Sequence, residues 1–366
     1  MDKKRLGISD TEAENVNLAD FTYVGDPEAV FDLNGWYAES GVDADVTIRN
    51  KGAVKVPDDM NTPIPTGAEP YTIGFAMYYT ADELASMIFE SMKTAATEAG
   101  IKLLTNDANY DQTAQNQAIE KWILQEVDGV ILAPCDFTGV KTSLDALETA
   151  GIPVITLNSP LAGSTDAAVI SDTVQQGTIA GELLVKALEV AGVEMKGSII
   201  YQTLPFMHPN AATRAKGFID VLRDYPDIKI VELTGVSPEE HYTAFDGALK
   251  DYPDMIGAWG LYSAPTIGMM NVKTDKSRSD ILLSSVDNDK SILKGIYDGD
   301  IVGTAAYSAI APARWCMSQM VNLLNGAPIP GIVFYANLAI TPGNVEEAFE
   351  HYYPGNTLQD YNEGSD

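Results

Sequence analysis

The chain has 366 residues, enough for two domains with separate cores, and its 45% hydrophobic content is that of a folded globular protein. Fifty-two acidic residues against 23 basic ones give a formal net charge of −29. That balance disfavours nucleic acid and anionic membrane surfaces as partners, because both need cationic side chains to displace counterions from phosphate.

Cys135 and Cys316 are the only cysteines, with no C-x-x-C spacing and no His/Cys cluster, so no zinc or redox motif is supported and two free, packed thiols are expected. There is no apolar run long enough for a transmembrane helix. The start, Met1-Asp2-Lys3-Lys4-Arg5, lacks an apolar stretch behind its charges, so a secretory signal is not expected within this sequence.

Residues 1–70 differ in texture from the rest. Short aromatic runs alternate with Gly, Asp and Pro, an alternating stretch covers 42–48, and the prolines of 56–65 predict an extended linker. This region is expected to be an arm packed on the main body, without chemistry of its own.

From Tyr71 the pattern is regular. Strands are predicted at 72–77, 101–105, 129–133, 153–157 and 167–170, with helices at 83–98, 112–125 and 140–150 between them. Asp82 is placed to cap the first helix, and Gly100 and Gly151 stand where helices end in a left-handed residue. The alternation restarts with a helix at 173–191, a strand at 198–202, a helix at 210–223, a strand at 229–233 and a helix at 239–250. A strand at 256–261, a helix from 264, a strand at 281–286, a helix at 289–297, a strand at 302–306 and a helix at 312–325 follow, with a last strand at 336–340. Strands alternating with helices of this length predict an α/β fold with doubly wound parallel sheets, and the number of alternations calls for two lobes. The polar, acidic end after Pro354 is expected to fray.

In such sheets ligands sit at the carboxyl ends of strands. The strand ends offer Tyr78, Tyr79 and Asp82, then Asp107 and Asn109, then Cys135 and Asp136, then Asn158 and Ser159. The second half adds His208, Asn210, Arg214, Tyr262, Asp287 with Asn288, and Tyr307. Carboxylates and amides bond hydroxyls, Arg donates a planar fork and rings pack on C–H faces, so the set suits a small polyhydroxylated ligand. Plainer roles stay open: Asp82 as a cap, Asp287 as a helix opener, His208 before Pro209 as a turn former, Arg214 paired to an acid, and Tyr262 and Tyr307 as packed rings. No G-x-G-x-x-G, P-loop, G-x-S-x-G or H-E-x-x-H pattern occurs, and His208, His241 and His351 have no nucleophile at a recognisable spacing.

Over roughly residues 71–343 the chain resembles the type I periplasmic solute-binding proteins of ABC transporters, in the ribose- and galactose-binding group. The resemblance rests on Ile73-Gly74-Phe75-Ala76-Met77-Tyr78-Tyr79-Thr80-Ala81-Asp82, on Ile152 to Asn158, on His208-Pro209-Asn210 with Arg214, Gly217 and Phe218, and on Val286-Asp287. It implies that Tyr78, Asp82, Asn158, His208, Arg214 and Asp287 line a sugar site. Tyr262 and Tyr307 stand where relatives carry amides and Leu84 where a stacking ring is usual, which points away from plain glucose or ribose. The stretch 190–197 lacks the alternating carboxylates of the group's Ca²⁺ loop, so neither metal nor cofactor is expected.

The implied architecture is two lobes joined by three crossovers, near Asp172-Thr173, Tyr307-Ser308 and Ile332-Val333. Residues 1–70 then form an N-terminal extension, 71–172 with 308–332 one lobe, 173–307 with 333–345 the other, and 346–366 an acidic tail. The implied function is non-catalytic: a monomer, periplasmic or extracellular and lipid-anchored, delivering a sugar or polyol to a membrane permease by hinge closure. A sensor presenting the same ligand to a chemoreceptor or histidine kinase is the alternative. A repressor with this two-lobed fold would need a helix-turn-helix, which residues 1–70 do not contain.

Overall fold

The computed structural model describes residues 22–23, 33–39, 45–56, 61–159, 161–205, 208–359 and 361. Its N-terminal pieces are β1 (Thr22–Tyr23), α1 (Leu33–Glu39), β2 (Val46–Ile48) and β3 (Ala53–Val56). Then come β4 (Thr72–Met77), α2 (Glu83–Ala99), β5 (Lys102–Asp107), α3 (Gln112–Leu124), β6 (Gly129–Leu132), α4 (Lys141–Thr149), β7 (Val154–Asn158), β8 (Gly163–Thr165) and β9 (Ala167–Ile170). A second series has α5 (Thr173–Val190), β10 (Gly197–Thr203), α6 (Pro209–Leu222), β11 (Ile228–Thr234), α7 (Pro238–Asp251), β12 (Met255–Gly260) and α8 (Ser263–Asp275). It continues through β13 (Leu282–Val286), α9 (Lys290–Asp298), β14 (Gly303–Tyr307), α10 (Ile310–Leu324), β15 (Ile332–Tyr335), β16 (Asn337–Ile340) and α11 (Val345–Tyr352). Among the described residues, no helix is long and apolar enough to cross a membrane.

The strands form two seven-stranded sheets, ordered β3-β15-β9-β7-β6-β4-β5 and β1-β16-β14-β13-β12-β10-β11. The first is parallel throughout. In the second only β16 and β1 run antiparallel to their neighbours. In both, the strand that opens a series has successors on either side: β4 lies between β5 and β6, and β10 between β11 and β12. The order reverses there, and loops leaving the carboxyl ends on either side diverge to leave a crevice.

Central strands carry apolar residues on both faces because helices cover both. Ile73, Phe75, Ile131, Ile155 and Met320 are fully buried in the first lobe, and Ile200, Phe245, Leu283 and Ile292 in the second. Each such side chain contributes roughly 1.5–3 kcal/mol of transfer free energy. The two cysteines are free and buried.

The chain passes from first to second sheet between β9 and α5, returns between β14 and α10, and passes again at Ala336. That last crossing lies beyond the expected Ile332-Val333. Ile332, Val333 and Phe334 pair with Ala168, Val169 and Ile170 of β9, so residues 333–335 belong to the first lobe. The reason is the apolar run Ile332-Val333-Phe334-Tyr335, buried along its whole length between β9 and β3.

Residues 346–366 are likewise not simply a tail. Val345, Ala348, Phe349 and Tyr352 form an apolar stripe on α11, and with Tyr353 and Leu358 they close the core of the second lobe. The N-terminal region also has a defined place where it is described. The strand β3 extends the first sheet beyond β15 and β1 extends the second beyond β16, so the arm covers one edge of each lobe.

Candidate functional site

Loops from the carboxyl ends of both sheets enclose one narrow cavity of about 40 Å³. The first lobe contributes Tyr78 and Asp82 after β4, Leu84 and Ala85 at the start of α2, and Tyr110 after β5. The second contributes Leu204, His208, Asn210 and Arg214 from the β10–α6 segment, Leu261 and Tyr262 after β12, Asp287 after β13 and Tyr307 at the end of β14.

Arg214 is held before any ligand arrives. Its Nε donates to Gln176 Oε1 at 2.7 Å, one terminal nitrogen donates to the Leu261 carbonyl at 3.1 Å, and the other lies 3.5 Å from Asp287 Oδ1. Burial works against its charge, and Asp287 with Tyr307 more than offset this, so the guanidinium stays protonated. Arg214 reaches this position because α5 and α6 cross in backbone contact. A Cβ on Gly177 would stand 1.8 Å from the Arg214 carbonyl oxygen, and one on Gly217 would stand 1.9 Å from the Val174 oxygen. Phe218 anchors the crossing by stacking on Trp259 at 4.2 Å.

Gln176 also links the site to the crossovers. Its amide donates to Ser171 Oγ at 2.8 Å and to Asn337 Oδ1 at 2.9 Å, and Asn337 in turn donates to the Asp172 carbonyl at 2.8 Å. Two of the connections between lobes are therefore bonded to the residue that orients Arg214.

Asp287 has a left-handed backbone, φ 80°, which costs a non-glycine residue of order 1 kcal/mol or more and is held only where its surroundings enforce it. Here β14 enforces it: the Asp287 N–H donates to the Ala305 carbonyl at 3.0 Å and Thr304 Oγ1 donates to the Asp287 carbonyl at 2.6 Å. Its carboxylate accepts from the Ser263 N–H at 3.2 Å, and the Ser263 hydroxyl is also bonded to the buried Asp289. Burial, with Asp82 and Asp287 nearby, pushes the Asp289 carboxyl well above the ordinary range.

Asp82 caps a helix and faces the cavity. Its Oδ1 accepts from the Ala85 N–H at 2.7 Å as the cap of α2, and the side chain lines the cavity. Burial raises its carboxyl to about 6, the Ala85 bond acting against this and Asp287 and Glu83 adding to it.

His208 precedes Pro209 at the start of α6 and meets Tyr78 of the opposite lobe edge-on at 5.4 Å. Burial and the Arg214 charge lower it to about 3, so it is a neutral imidazole at physiological pH. Asn210 is buried, and its Oδ1 has no hydrogen-bond partner. The Tyr262 hydroxyl lies 3.1 Å from His241 Nε2. Among the described residues no three His, Cys, Asp or Glu side chains converge as metal ligands.

Of the residues singled out in the sequence, the cavity gathers Tyr78, Asp82, His208, Asn210, Arg214, Tyr262, Asp287 and Tyr307. Eight others lie outside its lining: Asp107, Asn109, Cys135, Ser159 and Asn288, together with Asp136, Asn158 and Tyr79. Asp136 spends Oδ1 on the Thr138 and Gly139 N–H groups, closing its own turn. Asn158 accepts from the Tyr335 hydroxyl at 2.7 Å and acts behind the wall. Tyr79 turns to the neighbouring outer part of the cleft.

Tyr110 was missed. It has φ 61°, its N–H donates to the Tyr78 carbonyl at 2.7 Å, and its ring stacks on Tyr79 at 4.8 Å. A ring in a left-handed turn leaves no pattern in sequence, since the strand pairing that brings it to Tyr78 joins separate segments of the chain. The supports Gln176 and Ser263 also escaped notice, and His241 was considered only as a catalytic group, because each acts through a neighbour.

A family model described as periplasmic binding protein domain matches residues 73–328. The xylitol-binding protein of Mycolicibacterium smegmatis is 25% identical over 268 residues, 72% of this chain and 75% of that one. The ribose import binding protein of Bacillus subtilis is 24% identical over 264 residues, 71% of this chain and 83% of its own. Among solved structures, an ABC transporter solute binding protein from Mycobacterium smegmatis with bound glycerol superposes with a TM-score of 0.71 at 25% identity, covering 76% of this chain and 96% of that one. One from Bacillus halodurans with bound myo-inositol reaches 0.72 at 20% identity, covering 78% and 99%, and shows the shared fold. The model match spans most of the chain, including both series of parallel strands, and the chain belongs to the periplasmic binding protein family in its type I form.

Proposed function

We propose that this protein is the extracytoplasmic binding component of an ABC importer, closing its lobes without catalysis on a small neutral sugar or polyol. The observation that carries the reading is the Asn210 oxygen: buried, without a partner and in the wall of a cavity between the lobes. A buried acceptor left unpaired costs about 1–3 kcal/mol, and a ligand hydroxyl would recover that. Arg214, Asp287 and the tyrosines supply further partners already fixed by their neighbours, the preorganisation that a binding site needs.

The relatives support the class of ligand, since those reported are named for xylitol and ribose or hold glycerol and myo-inositol. The wall has rings but no broad apolar slot, and its acidic groups disfavour phosphorylated or carboxylated sugars. Binding of ligand between the lobes would favour the closed form by its differential affinity for it. The closed form is then what a permease would recognise.

Calorimetry against pentoses, hexoses, polyols and furanosyl compounds tests the reading. Binding of at least one class is expected, with Asn210→Ala and Asp287→Ala each weakening it by about 2 kcal/mol. No heat across the panel, or an unchanged dissociation constant in both variants, would overturn it.

A further inference from the structure

Beyond the inner cavity the cleft widens into an outer chamber of about 590 Å³. Asp82, Tyr110 and Tyr262 belong to the walls of both spaces, so the two are neighbours divided by these side chains. The inner cavity, at 40 Å³, takes about three water molecules at roughly 10–15 Å³ of centre space each. That is the size of a three-carbon polyol. With the lobes in this position, a larger ligand must pass Tyr110 and Tyr262 and enter the outer chamber.

The chemistry of the outer wall is specific. Tyr79 lines this wall and lies by one face on Tyr110, with 17° between their planes; the other face of its ring is of the kind that packs on the C–H face of a sugar ring. Ser86 and Ser291 line the wall with hydroxyls, and its charged members among the described residues are carboxylates, with no lysine or arginine. An anionic group would be repelled there, while hydroxyl donors would be accepted.

We propose that the outer chamber is a second subsite, holding a neutral glycosyl unit of a two-unit ligand whose compact polyol or sugar head fills the inner cavity. This rests on the solute-binding reading above. The division of labour follows from the walls: the inner groups select the head by paired hydrogen bonds, and the outer tyrosines hold the second unit by its ring face.

The test is calorimetry on the full chain with matched pairs that share a three-carbon head: glycerol against glucosylglycerol, and glycerol against galactosylglycerol. The two-unit compound of at least one pair is expected to bind tenfold or more tightly than its head alone, about 1.4 kcal/mol. Ser291→Trp, which puts a bulky ring into the outer chamber in place of a hydroxyl, is expected to cut that gain at least threefold while leaving the head's own affinity within about twofold, and Tyr79→Ala to reduce the gain about fivefold. Thermal melts of both variants check that they fold. Heads that bind without any gain from the second unit, or a gain that Ser291→Trp leaves intact, would overturn the subsite and spare the parent reading. Failure of heads and two-unit compounds alike would overturn the subsite, and only silence across the wider panel above as well would overturn the parent reading with it.

Discussion

Asp82 caps α2 with a carboxyl group that also faces the cavity, and its titration shows the cost. The unfolded group titrates near 3.8 and the folded one near 6, so between these values the native state binds more protons than the unfolded chain. Stability therefore falls as pH rises from about 4 to about 6 and stays at the lower level above, a loss of about 3 kcal/mol at most from this group. Asn keeps the cap but cannot titrate. The stability of wild type relative to Asp82→Asn, from urea midpoints, is expected to decline over this range; parallel curves would refute it. Sequence alone offered cap and ligand contact as alternatives, because an acid ahead of a helix satisfies both patterns. Tyr110 shows the converse: its placement depends on the Tyr78 carbonyl across a strand pair, and no neighbouring residue announces it.

At the scale of elements, the Arg214-Ala-Lys-Gly217-Phe218 segment acquires a mechanical meaning. Gly217 and Gly177 let α6 and α5 touch through their backbones, and this closeness places the Arg214 Nε within reach of Gln176. Any Cβ at Gly217 meets the Val174 carbonyl, which belongs to a helix and cannot yield alone. Gly217→Ala is expected to destabilise the protein by about 3 kcal/mol and to weaken ligand binding with it, measured by denaturation and calorimetry on the same preparation. Unchanged stability would mean that the helices part freely. The helix α11 was legible in principle, since Val345, Ala348, Phe349 and Tyr352 keep the helical period. Its acidic surroundings, Glu346, Glu347 and Glu350, drew the reading toward a tail, though they only mark the solvated face. The strand β15 was missed for a related reason: it is short and follows a proline-rich turn, and its neighbours in the sheet lie far away in sequence.

For the whole molecule, the lobes meet through an ion pair beside the site. Glu83 of α2 accepts from the Lys290 N–H at 2.8 Å, at the start of α9, and its other oxygen lies 3.2 Å from Lys290 Nζ. The contact joins the two lobes across the cleft, so parting the lobes would break it, and we propose that it biases them toward closure without help from ligand. Partly exposed pairs are worth about 1 kcal/mol or less. Glu83→Gln is expected to weaken ligand binding about twofold to fivefold and to enlarge the ligand-free molecule in small-angle scattering. The difference in affinity should shrink in high salt as screening takes over; a variant with wild-type affinity at low salt would refute the latch.

Periodicity and turn chemistry act over a few residues, and the sequence by itself therefore determined the alternation of strands and helices, the parallel α/β class and the strand ends where a ligand would sit. It also separated an arm of different texture from the repeating body. Only the tertiary structure decided which strand ends face one another, that Asp136 and Asn158 stand outside the cavity while Tyr110 stands inside, that the last crossover falls at Ala336, and that the arm borders both sheets. Those outcomes depend on strand order and on contacts between residues far apart in the chain, such as Gln176 with Asn337 and Glu83 with Lys290, and no local pattern encodes them.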